Sequence, residues 1–239
     1  MSFYSVFAAD YELVFPFRDE VYRFLRSHAG EPGYRVLDLG CGPGHYCGRF
    51  AADGYPATGI DLDEAMVDEA LKRYPAAAFR CMDLRGVESL GNGFRCVYSI
   101  GNVMAHLPPE ELGRLLGNIG NMIVPGGSWI MQVMNWDAFA GVNSYEFPVR
   151  MIEREGGTAT FHRSYRFELA GSVLFSVSLM QSGRELFREE ATLYPVSIDK
   201  YLQLHGESGF ASTGIYADFS GSPVRDVPGS GLVMAFRKT

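Results

Sequence analysis

The chain has 239 residues, 47% of them hydrophobic and 21% charged, with a formal net charge of −7. That length supports one sizeable core. The acidic balance excludes partners such as nucleic acid, which need a basic face against their phosphates. No apolar run reaches the roughly 18 residues of a membrane span, and the start, MSFYSVFAADYE, lacks the basic and apolar pattern of a secretory signal. Cys41, Cys47, Cys81 and Cys96 form no C-x-x-C pair, so they read as reduced thiols of a cytoplasmic protein. His28, His45, His106, His162 and His205 are scattered without ligand spacing, and no metal site is predicted.

Residues 2–29 are rich in aromatics, among them Phe3, Tyr4, Phe7, Tyr11 and Phe15, and these read first as core packing. Pro16 breaks the pattern. From Phe17 to His28, Val21, Phe24 and Leu25 follow helical spacing. The stretch Arg35 to Gly44, RVLDLGCGPG, then organises the chain. Val36, Leu37 and Leu39 form a short buried strand that stops on Gly40, with Gly42 and Gly44 following at alternate positions. Glycines so placed allow a tight turn in which backbone amides approach a ligand with no Cβ in the way. His45 to Asp53 reads as a helix. Strand, glycine turn and helix place a ligand beyond the strand's carboxyl end. Asp38, just before the turn, would repel a pyrophosphate and suits a cationic or zwitterionic ligand. His45 stands where the dinucleotide pattern G-x-G-x-x-G wants its last glycine.

Pro56 to Ile60 reads as the second strand and leads to Asp61. A carboxylate about 20 residues beyond a glycine turn is placed to accept from ribose hydroxyls. Asp63 suits a helix cap, ahead of a face of Met66, Val67, Ala70 and Leu71. Ala78 to Cys81 is a third strand, with Asp83 just beyond it. Arg95 to Ile100 is a fourth, running into Gly101-Asn102-Val103-Met104-Ala105-His106-Leu107. Pro109, Glu110 and Glu111 start a helix whose Leu112, Leu115, Leu116 and Ile119 share one face. Pro125-Gly126-Gly127 turns into a fifth strand, Ser128 to Met134. Met82, Met104 and Met134 read as core filler.

From Val142 to Val196 the texture changes. Phe147–Glu153, Ala159–Leu169, Val173–Gln181 and Glu185–Pro195 alternate in hydropathy, with hairpin turns at Gly156-Gly157, Ala170-Gly171 and Ser182-Gly183. This predicts an antiparallel flap inserted after the fifth strand. Its arginines, Arg150, Arg154, Arg163, Arg166, Arg184 and Arg188, mostly mark solvated faces, though any one suits a substrate carboxylate. Ser197 starts a helix to about His205. Ala211–Phe219 and Leu232–Arg237 are the last strands, with a Gly/Pro/Ser-rich loop, Ser220 to Ser230, between them.

The glycine stretch resembles the first motif of the class I S-adenosylmethionine-dependent methyltransferases. The Val124-Pro125-Gly126-Gly127 lead-in and the closing SGLVMAFRK resemble the same family, and the segment Gly101 to Leu107 is similar to its glycine and sarcosine N-methyltransferase group. The resemblance implies an α/β, Rossmann-like, doubly wound sheet of seven strands, the last antiparallel, in a single domain. Within it, residues 1–34 form a lid and helix, 35–136 the cofactor-binding core, 142–196 the flap, and 197–239 the closing helix and two strands. It implies S-adenosyl-L-methionine as cofactor and S-adenosyl-L-homocysteine as product. Asp38, Gly40, Cys41, Gly42, Gly44, Asp61, Leu62, Met66, Asp83, Leu84, Ile100, Gly101 and His106 would bind it, with Tyr4 and Tyr11 folding over. Asp38 would lie near the amino-acid end, Asp83 would accept from the adenine amino group, and Asn102 and His106 would serve catalysis. Asn135 would point at the acceptor pocket. His106 also reads as a structural histidine beside a helix start. The implied activity is methyl transfer to a small amine or hydroxyl, by a monomer or homodimer. An NAD-dependent oxidoreductase and a non-enzymatic cofactor-binding protein are the alternatives.

Overall fold

The structure, a computed structural model, describes residues 10–239. Tyr4, Phe3 and Phe7 lie outside the described residues. A short helix α1 (Tyr11–Val14) and α2 (Asp19–Ala29) precede the core. There β1 (Arg35–Leu39), α3 (His45–Ala52), β2 (Ala57–Asp61), α4 (Glu64–Arg73), β3 (Ala78–Cys81), β4 (Phe94–Ser99), α5 (Pro109–Met122) and β5 (Ile123–Met134) alternate. After an insertion, α6 (Ile198–Glu207), β11 (Phe210–Tyr216) and β12 (Gly231–Lys238) complete the seven-stranded sheet, ordered β11-β12-β5-β4-β1-β2-β3. Only β12 runs antiparallel to its neighbours β5 and β11. This is the α/β Rossmann-like architecture expected, and the carboxyl ends of β1, β2, β3 and β4 meet along one edge.

The parallel strands are apolar on both sides because helices cover both faces. Leu37, Leu39, Val97, Trp129 and Met131 pack with α5 and α6. Val36, Cys96, Tyr98 and Ile130 pack with α2, α3 and α4. The four residues expected on the face of α5 are all buried. On α4, Met66, Val67 and Ala70 are buried as expected, but Leu71 is 46% exposed, because the sheet-facing stripe of so short a helix is narrow. Asp63 caps α4, accepting from the Ala65 and Met66 amides at 2.9 and 3.2 Å. The Pro-Gly-Gly segment lies within β5 as an irregularity, between the pairings of Ile123 with Phe94 and Ser128 with Cys96.

The insertion follows β5 as predicted. It holds β6 (Ser144–Glu146), β7 (Arg150–Arg154), β8 (Gly157–Phe167), β9 (Val173–Gln181) and β10 (Arg184–Leu193), in the order β10-β9-β8-β6, with β7 also pairing β8. The strand expected over 147–153 begins only at Arg150, since Pro148 has no amide for the ladder, and a separate short strand, β6, precedes it. Phe161, Leu179 and Phe187 on one face meet Val14 of α1. Tyr165, Val173 and Leu193 on the same face pack with Trp136, Phe139 and Ala105.

Behind the sheet, His205 of α6 is fully buried. Its Nε2 accepts from the Trp129 indole at 2.9 Å, and its Nδ1 lies 2.6 Å from the Tyr201 carbonyl, which assigns the neutral Nδ1–H form. Burial lowers its pKa to about 4. The ordinary value of about 6.5 applies in the unfolded chain. The stabilisation from the neutral ring is therefore complete above pH 6.5 and fades as the unfolded state takes up a proton, between about pH 6.5 and 4. Urea unfolding of wild type against His205→Gln should show a stability gap that shrinks across this window, by about 3 kcal/mol in total. A gap independent of pH would refute the assignment.

Candidate functional site

A cavity of about 400 Å³ opens at the carboxyl edge of the sheet. Its floor is the glycine turn. Gly40 has φ +81° and a Cβ there would sit 2.5 Å from the Val103 side chain, so only glycine lets the turn and the Val103 segment close up. Gly42, at φ +53°, presents its open side to the Tyr11 ring, 3.8 Å from where a Cβ would be. Gly44 plays a different part. It lies off the cavity wall, and a Cβ would strike the Phe79 ring at 2.6 Å, so it serves close packing of α3 on the strands.

Asp61 ends β2 beside this turn. One carboxylate oxygen accepts from Gly42 N–H at 2.8 Å and the other from Asp63 N–H at 3.0 Å. Burial raises its pKa, and those amide bonds oppose the rise. Each oxygen keeps a lone pair, so the group that braces the turn also has acceptor capacity on the cavity wall. Asp83 stands across the mouth, accepting from Arg85 N–H at 2.8 Å and pairing with its guanidinium at 2.9 Å. Arg85 also donates to Glu111 at 2.7 Å. Leu62, Met66, Leu84 and Ile100 supply apolar wall between these carboxylates.

Gly101 and His106 line the far end. Gly101, at φ +82°, gives its amide to Gln132 Oε1 at 2.8 Å. Burial lowers the pKa of His106, which favours the neutral ring at pH 7. Tyr11 closes the cavity from above, and burial, with Asp61 and Asp38 nearby, holds its hydroxyl protonated.

Besides Gly44, four expected residues do not reach the cavity. Asp38 is 1% exposed behind the turn, with Oδ1 lacking a hydrogen-bond partner. Burial, with Asp61 beside it, pushes its pKa well above the carboxylate range, against the Tyr98 hydroxyl. Cys41 is buried against Gly59 on the opposite side of the turn. The Asn102 side chain is engaged elsewhere: Oδ1 accepts from Met134 N–H at 3.0 Å, and Nδ2 donates to the Tyr165 hydroxyl at 3.4 Å. It ties the loop after β4 to β5 and the flap. Asn135 is likewise turned away, donating to the Arg225 carbonyl at 2.9 Å. Met82, expected in the core, lines the cavity, as do Asp63, Val103, Leu107 and Ala191. Ala191 comes from the flap and had no local signal. Arg85 was signalled only by its position two residues beyond Asp83. None of the flap arginines lines this cavity. Among the described residues no cluster of His, Cys, Asp or Glu could hold a metal ion.

Residues 36–127 match the family model of a methyltransferase domain. Glycine N-methyltransferase of Rattus norvegicus is 32% identical over 130 residues, covering 47% of this chain and 43% of that protein. The dTDP-3-amino-3,4,6-trideoxy-alpha-D-glucopyranose N,N-dimethyltransferase of Streptomyces venezuelae is 30% identical over 109 residues, covering 45% of each. The chain thus spans less than half the length of these relatives. Among solved structures, an S-adenosylmethionine-dependent methyltransferase from Clostridium acetobutylicum superposes with a TM-score of 0.80 over 98% of both chains, at 14% identity, and shares the fold. The matched segment and the shared fold support a class I S-adenosylmethionine-dependent methyltransferase. S-adenosylmethionine is the cofactor of that class, and the glycine cradle, the acceptor capacity of Asp61 and the cavity's size fit it.

Asp61→Ala should fold yet lower affinity for S-adenosylhomocysteine by at least about tenfold in calorimetry, one charged hydrogen-bonding group being worth roughly 1.5–3 kcal/mol. Unchanged affinity in a folded variant would remove Asp61 from the cofactor site.

Proposed function

We propose that the protein is a methyltransferase that moves a methyl group from S-adenosylmethionine to the nitrogen of a small-molecule amine. The observation that carries this is one cavity with the glycine cradle and Asp61 at one end and neutral His106 at the other. Relatives that methylate glycine and amino sugars favour nitrogen as the acceptor atom.

S-adenosylmethionine supplies, when bound, a methyl group made electrophilic by its sulfonium. The chain then has to orient an acceptor, exclude water and receive a proton. Asp61 and Asp83 would take hydrogen bonds from ribose and adenine, with Leu62, Met66 and Leu84 flanking them. Tyr11 above and Ala191 of the flap shield the cavity from solvent. His106, kept neutral by its surroundings, has a ring nitrogen free of charge at pH 7 and can take a proton from the amine. No nucleophile on the protein is required. Asn102 positions this end by pinning it to Met134 and Tyr165.

A thermal-shift series with S-adenosylmethionine, S-adenosylhomocysteine, NAD and NADP tests the reading. A ligand at 100 times its dissociation constant stabilises by about 2.7 kcal/mol. Shifts with the first two alone are expected, and a shift with NAD or NADP alone would overturn the proposal. For an accepted amine, His106→Asn should lower kcat about 100-fold, the usual worth of a positioned base, with affinity for S-adenosylhomocysteine little changed. Because the ring's pKa is lowered, the wild-type rate should hold as pH falls through the ordinary histidine range and drop only below it. A drop centred at or above about 6.5 would assign the limb to another group.

A further inference from the structure

The cavity wall carries three carboxylates, Asp61, Asp63 and Asp83, and one guanidinium, Arg85. That guanidinium is already held by Asp83 and Glu111. No uncommitted cation is therefore present in the wall to receive an anionic acceptor. An acceptor bearing a carboxylate or phosphate would therefore bury that charge with no unpaired counter-ion in the wall, which is unfavourable.

The flap contributes the opposite kind of group. Along β10, Phe187, Glu189, Ala191 and Leu193 share the face turned toward the core. Phe187 is buried against Val14, Leu193 against Ala105 and Trp136, and Ala191 forms cavity wall. Glu189 lies one pleat repeat from Ala191, about 7 Å along the strand. It is half-buried, and among the described residues no hydrogen bond or ion pair engages its carboxylate. β10 is the edge of its sheet, and the Tyr194 amide just beyond it is bonded to the Ala105 carbonyl at 2.7 Å. That bond fixes this edge beside the segment bearing His106. The cation nearest in the register is Arg163, across Val177 and two strands from the edge, with its guanidinium over the Phe147 ring at 4.6 Å and the Phe15 ring at 5.7 Å.

We propose that Glu189 guards the acceptor entrance and selects an amine that arrives as a cation on an apolar body, without a carboxylate or phosphate. This rests on the methyltransferase reading above. The carboxylate draws the ammonium to the cavity mouth, Ala191, Leu107 and Val103 cover its apolar body, and His106 takes the proton deeper in.

The test uses the full chain saturated with S-adenosylhomocysteine. Calorimetric titration compares tyramine with 3-(4-hydroxyphenyl)propionate, which share a body and differ in the sign of charge. Tyramine should bind at least about tenfold more tightly, and Glu189→Gln should abolish that preference while leaving affinity for S-adenosylhomocysteine unchanged. Equal or tighter binding of the propionate, no tyramine binding, or a preference that survives Glu189→Gln would overturn the proposal. Failure to bind S-adenosylhomocysteine at all would instead bring down the underlying methyltransferase reading. Glu189→Lys, which keeps a long charged side chain at an edge position, should reverse the preference if the effect is electrostatic.

Discussion

The carboxylate of Asp61 holds two separate stretches of backbone at once: the glycine turn through Gly42 N–H, and the approach to α4 through Asp63 N–H. This pair of hydrogen bonds holds the cradle against the approach to α4 and so shapes the cavity wall. A carboxylate is suited to it because each oxygen accepts two hydrogen bonds, so structural and ligand contacts need not compete. Its burial strengthens the dependence, since an amide left without its acceptor there would find no water in exchange. Asp63 repeats the arrangement one step on, with its own carboxylate on the first amides of α4. Two acidic residues two positions apart thus set where β2 stops, where α4 starts and how the glycine turn faces them.

Much of this was legible because the periodicities are local. Val36 to Leu39, Ala78 to Cys81 and the face of α5 follow from burial between helix layers, which writes continuous apolar runs into strands and a stripe into helices. The cavity floor was legible for the same reason: glycines at alternate positions and an acid after the next strand have few other physical readings. What failed was side-chain direction. Asp38 belongs to the glycine motif, yet strand alternation turns it inward, among Tyr98, Cys47 and Asp61 and away from the cavity wall. Asn102 sits in the expected loop, but its left-handed backbone, φ 68°, points its amide at Met134 and Tyr165. Residues brought in from distant sequence, such as Ala191 and Glu111, carry no local pattern that announces the cavity.

The flap was predictable as a sheet and unpredictable as a partner of the site. Alternation in β8, β9 and β10 says that one face is covered without saying by what. The covering turns out to be split: α1 packs on the rows of Phe161, Leu179 and Phe187, while Trp136 and Phe139 pack on those of Tyr165 and Val173. The row between them, Arg163, Val177 and Glu189, is where the acceptor reading places its recognition chemistry.

The short helix α1 is clasped on both sides. Glu12 binds Arg73 at 2.9 Å and the Tyr74 hydroxyl at 3.0 Å on the core, while Asp10 binds Arg154 at 2.7 Å and Val14 is buried against the flap. Tyr11 sits between these anchors as the cavity's roof. The roof is thereby a tie-beam: lifting it strains the joint with the core and the joint with the flap together.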